Sequence, residues 1–176
     1  MFIRFFFVIV LAVASTATHA SISNSNDSTI LIIGDSLSAG LGVTYDQAWP
    51  SLLQNRLKKE GYLIQVLNAG ISGDTTSGGV QRLPKLLDKH TPEIVVIELG
   101  GNDGLRGTSI KSIENNLRLM IELALNYDAK ILLIGMQLPP NYGNAYTTSF
   151  QNLFPELASE YGIGLVERLI QRMMDG

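Results

Sequence analysis

Three short stretches carry the residue types that acyl transfer needs. Gly34-Asp35-Ser36-Leu37 follows one aliphatic run, Ser72-Gly73-Asp74-Thr75 lies beyond a second, and Gly100-Gly101-Asn102-Asp103 follows a third. A serine hydroxyl at a strand-to-loop turn can be presented to a carbonyl carbon while the strand holds its backbone rigid. Gly73 can bring a backbone N–H close to a ligand because no side chain stands in the way. Asn102 can aim an amide N–H at the same point. Each stretch alone also reads as turn chemistry, since Gly, Asp, Ser and Asn are common turn formers. Together they offer more: the Ser36 and Gly73 backbones and the Asn102 side chain, beside one hydroxyl, make an oxyanion hole for a tetrahedral intermediate.

Those stretches work together only if the fold brings them to one rim. Thr29 to Ile33 is a short, β-branched run of strand length, and Ile94 to Leu99 and Ile131 to Ile134 are almost wholly aliphatic. Leu63 to Leu67 is a strand carrying Gln65, and Ile163 to Val166 a weaker one. Between them the helical spacing of Trp49, Leu52, Leu53 and Leu57 predicts a helix with Pro50 in its first turn and Gly61 as its stop. Further helices are predicted over 78–89, with a kink at Pro84, over 110–124, and over 146–161. Alternating strands and helices predict an α/β domain with a parallel sheet, since parallel strands need crossovers. The most aliphatic strands belong in the centre, which suits the flavodoxin-like order 2-1-3-4-5. Ligands then bind at the carboxyl ends of the strands, near the switch point, and the three stretches leave from there.

The residues Gly34-Asp35-Ser36-Leu37, Ser72-Gly73-Asp74-Thr75 and Gly100-Gly101-Asn102-Asp103 resemble the first three motif blocks of the SGNH (GDSL) hydrolases, a three-layer fold. Leu138-Pro139-Pro140-Asn141-Tyr142-Gly143 and the wording of 98–107 are similar to the bacterial periplasmic branch of acyl-CoA thioesterases, lysophospholipases and arylesterases. The resemblance implies Ser36 as nucleophile, with Ser36, Gly73 and Asn102 as the oxyanion hole. It also implies an acyl groove shaped by 137–146 and the segment after Asp103, and neither metal nor cofactor.

The family's fourth block, Asp-x-x-His, does not occur in the sequence. His19 belongs to the N-terminal segment. His90 stands before Thr91-Pro92, at the amino end of the third strand, about 20 Å from Ser36 by the rise of a strand. It reads as a residue at a helix C-terminus, interacting with the dipole. Asp175 is left unassigned. Right-handed crossovers put one helix on one face and three on the other, so a further helix is expected after residue 167, beside the first. The domain over 29–176 is therefore expected to be C-terminally incomplete, and the chain to turn over poorly without its base.

The remaining features bound the partners. With 13 Lys and Arg against 16 Asp and Glu, and no basic cluster, the 176 residues carry no electrostatic footprint for nucleic acid. A small-molecule ester or thioester fits better. Arg4, the apolar run Phe5 to Ala14 and the small residues up to Ala20 form a secretory signal over 1–20, too short for a spanning helix. Residues 21–28 are a polar lead-in, and no membrane anchor is expected after cleavage. That places the protein in the periplasm or outside the cell, without disulfides, since the sequence has no cysteine. Two other readings stay open here: a flavodoxin-like module cradling flavin or phosphate, though without a glycine-rich phosphate motif, and a catalytically inactive remnant.

Overall fold

The computed structural model describes residues 28–167. The expected signal segment, the expected lead-in up to residue 27, the helix expected after residue 167 and Asp175 lie outside the described residues. Five strands form one sheet: β1 Ser28–Gly34, β2 Ile64–Asn68, β3 Ile94–Glu98, β4 Lys130–Ile134 and β5 Gly164–Val166. All neighbours are parallel, in the expected order β2-β1-β3-β4-β5. The edges are β2, with Gln65, and the short β5.

Side chains of successive strand residues point to opposite faces, and the two faces are covered unequally. Leu31, Ile33, Val95, Ile97 and Leu133 pack on one face. Against them lie Leu83 and Leu87 of α3 (Thr76–His90), Ile113, Leu117 and Met120 of α5 (Ile110–Leu125), and Phe150 and Phe154 of α6 (Asn144–Tyr161). The opposite face buries Ile30, Ile32, Val96 and Ile134, with Trp49 and Leu57 of α2 (Trp49–Lys59) against them. The one-against-three distribution is as the crossover rule predicts. Among the described residues, no helix is long and apolar enough to cross a membrane.

Two short α-helices stand where the sequence predicts loops. Where a strand-to-loop turn is expected after β1, the chain enters α1 (Ser36–Ala39), and after β3 it enters α4 (Gly101–Leu105). Both are four- or five-residue turns, below the length at which periodicity is visible. The expected kink at Pro84 does not end α3, which runs on to His90.

Candidate active site

Register brings the three stretches to one edge. Gly34, the last residue of β1, is paired with Glu98, the last of β3, and Ile32 is paired with Asn68, the last of β2. The chain therefore turns into Ser36, Gly73 and Asn102 from three adjacent strand ends. Ser36 opens α1, and its helix cap is Asp35, whose Oδ1 accepts from the Leu37 N–H at 3.0 Å. Ser36 is half-buried.

Asn102 joins the other two loops directly. Its Nδ2 donates to Asp35 Oδ2 at 3.1 Å and to the Asp74 carbonyl at 2.9 Å, the residues next to Ser36 and Gly73. The two oxyanion-hole loops are thus tied to the third through a single side-chain amide. Gly73 has φ +79°, a left-handed conformation that favours glycine, and its carbonyl accepts from Arg106 Nη2 at 3.0 Å. The N–H groups of Ser36 and Gly73 have no hydrogen-bond partner among the described residues. Both amide hydrogens of Asn102 are engaged, so an anion entering here has to draw one of them from Asp35 or Asp74.

Several polar groups beneath these loops have roles that motif reading did not assign. Glu98 is fully buried, and its Oε2 accepts from Ser38 Oγ at 2.5 Å, Ser38 N–H at 3.2 Å and Asp35 N–H at 3.3 Å. Burial, and then the neighbouring Asp35 carboxylate, push Glu98 up to about 8. Asp35 is raised as well, chiefly by burial. Two carboxyls this close and this dry hold at least one proton between them at neutral pH. Asp103, also buried, accepts from the Thr76 N–H at 2.8 Å and Thr76 Oγ1 at 2.7 Å, fastening α4 to the start of α3. Arg82 donates to Asp74 Oδ2, the Ala69 carbonyl and the Gly34 carbonyl, at 2.8, 2.5 and 3.1 Å. One signal in the sequence could have found Glu98: it is the single charged residue in the otherwise aliphatic run Ile94 to Leu99.

His90 is the last residue of α3, as its position before Thr91-Pro92 predicts. It lies ahead of β3, whereas Asn102 lies beyond that strand's far end. No histidine of the described residues therefore stands at the Ser36 edge. No group of His, Cys, Asp and Glu among the described residues is arranged to hold a metal ion. A cavity of about 220 Å³ lies between β4, α6 and β5, with Gly135, Phe154, Leu165 and Glu167 among its walls, and does not include Ser36, Gly73 or Asn102.

The model of the GDSL-like lipase/acylhydrolase family matches residues 32–172. The chain is 50% identical over 138 residues to esterase TesA of Pseudomonas aeruginosa, covering 78% of this chain and 69% of that protein. It is 44% identical over 138 residues to thioesterase 1/protease 1/lysophospholipase L1 of Escherichia coli K12, covering 78% of this chain and 65% of that one. Among solved structures it is similar to AlinE4, an SGNH-hydrolase family esterase, with a TM-score of 0.80 at 39% identity over 85% of this chain and 80% of that one.

Proposed function

We infer the mechanism from one premise, that the chain belongs to the GDSL-like lipase/acylhydrolase family and is an ester hydrolase. The Ser36 hydroxyl attacks the carbonyl carbon of an acyl ester or thioester, and its proton leaves to a base. The carbonyl oxygen gains the charge, held by the N–H groups of Ser36 and Gly73 and one hydrogen of the Asn102 amide. That hydrogen is drawn from Asp35 Oδ2, the longer of the amide's two bonds at 3.1 Å. Collapse of the intermediate expels the alcohol or thiol and leaves the acyl group on Ser36. Water then attacks the acyl-enzyme, and the carboxylic acid departs.

One observation carries this reading: the Asn102 amide bonds the immediate neighbours of both Ser36 and Gly73. Arylesters, acyl thioesters and lysophospholipids are the substrate classes we propose. Support comes from the resemblance of 138–143 and 98–107 to that branch, and from the names of the relatives. An apolar acyl groove discriminates by only about 1–3 kcal/mol per methylene, so a broad acyl range is expected.

The test supplies the base from outside. With His90 at the wrong end of β3, the 176-residue chain is expected to hydrolyse p-nitrophenyl acetate only at trace rates, rising in imidazole above the Ser36→Ala background. Asn102→Ala should lower that imidazole-dependent rate by about 100- to 1000-fold. A rate that Ser36→Ala leaves unchanged sinks the mechanism. Fast turnover without imidazole, abolished by Ser36→Ala, sinks the account of the base.

Export belongs to the same proposal, on the strength of the apolar run Phe5 to Ala14 and the small residues up to Ala20. The mature protein should begin at Ser21 in the periplasmic fraction. Recovery in the cytoplasm with residues 1–20 intact argues the other way.

A further inference from the structure

We propose that Glu98 is a positioning residue for the nucleophile, gripping the turn that carries Ser36 from both sides through Asp35 and Ser38. The inference rests on the Ser36 mechanism above and extends it to a side chain that touches no substrate. Glu98 ends the central strand β3 directly opposite Gly34, and its Oε2 takes three donors, the N–H of Asp35, the N–H of Ser38 and the Ser38 hydroxyl. Asp35 precedes Ser36 by one residue and Ser38 follows it by two. One carboxyl oxygen therefore fixes the backbone on either side of the reacting hydroxyl. A turn of four residues cannot hold its own geometry, because only its first and last residues make helical bonds.

The space around the grip is filled. A Cβ on Gly34 would stand 2.3 Å from Ser38 Oγ and 2.6 Å from Glu98 Oε2, so glycine is required for the carboxyl to reach the turn. Ser38 and Glu98 are both fully buried, which keeps water from replacing either partner. Among the described residues no N–H or O–H group donates to Glu98 Oε1, and an ionised oxygen left so is costly in a dry site. Burial and Asp35 hold the group uncharged at neutral pH, consistent with Oε2 serving purely as an acceptor. The amide of glutamine has the same shape and keeps that acceptor. Alanine removes it.

Versions of the 176-residue chain with Glu98→Ala, Glu98→Gln or Ser38→Ala test this, with Ser36→Ala as blank and circular dichroism to show folding. The readout is the rate at which a fluorophosphonate modifies Ser36 in imidazole buffer, followed by intact mass. Glutamine should keep the rate within about threefold, while Glu98→Ala and Ser38→Ala lower it by about tenfold or more, since small misplacements of a reacting group are costly. Wild-type labelling in folded Glu98→Ala overturns the proposal, as does glutamine falling as far as alanine. If Glu98→Ala does not fold, Ser38→Ala decides by the same criterion. If the unsubstituted chain takes no label at Ser36, the hydrolase mechanism fails, and amide relaxation tests this inference separately. The Ser36 and Leu37 N–H vectors should then loosen in Glu98→Ala, or in Ser38→Ala if that variant alone folds, and stay rigid in Glu98→Gln. Equal rigidity in the alanine and glutamine variants overturns it.

Discussion

Gly34 shows how tightly the residues around the nucleophile are specified. Its backbone lies against a short hydrogen bond between Ser38 Oγ and Glu98 Oε2, and an added methyl would overlap both atoms. Neither can swing aside without losing the other, and both are buried. Gly34→Ala is therefore expected to destabilise the chain by about 1–3 kcal/mol, the usual range for overpacking, measurable as a lower urea midpoint. An unchanged midpoint would mean that the pair can move and does not hold the turn. Asn102 is specified differently, by bonding rather than by space. Among the described residues its amide is the one side chain that reaches both Asp35 and the Asp74 carbonyl, so shortening it cuts the link between loops as well as a donor to the oxyanion.

Among the elements, the three loops are held together by partners drawn from the helices behind them. Arg82, on α3, reaches Asp74, the carbonyl of Ala69 after β2, and the carbonyl of Gly34 at the end of β1. A planar guanidinium with several donors can span these acceptors, and a lysine ammonium cannot. The Arg82–Asp74 pair is mostly buried, so losing it leaves an uncompensated carboxylate, typically about 3–5 kcal/mol. Arg82→Ala should accordingly speed amide hydrogen exchange in residues 69–76 while Ile113 to Ala124 of α5 stay protected. Uniform acceleration across both segments would show that Arg82 stabilises the whole fold and not the loops. Asp103 plays a matching part for α4, anchoring it to Thr76 at the first turn of α3.

For the molecule as a whole, the buried carboxyls set the response of stability to pH. Glu98 keeps its proton up to about pH 8 in the folded chain, against an ordinary value of 4.5. Between those values the folded state binds more protons than the unfolded one, so stability is greatest below the window and falls as pH rises through it. Asp35 is raised too and adds in the same direction, with Asp74 and Asp103 contributing repulsion. The Arg82 cation is engaged with Asp74. Urea unfolding should show stability decreasing from pH 5 to pH 8 by up to about 1.4 kcal/mol per pH unit for one proton. Glu98→Gln should flatten that slope. A wild-type curve that rises over this window would place the proton elsewhere.

The alternation of aliphatic runs with 3.6-periodic stretches determined the strands, the helices of ten residues or more, and the order β2-β1-β3-β4-β5, because sheet burial and crossover handedness leave few arrangements. The three motif stretches were legible for the same reason: each sits where such a sheet exposes its strand ends. Short α1 and α4 were not, since four or five residues carry no period. Only the tertiary structure paired Gly34 with Glu98, set Ser38 on that carboxyl, and gave the Asn102 amide two acceptors. Those partners lie 28 to 67 residues apart along the chain, and a contact over such a distance is decided by strand register and packing, which no local pattern encodes.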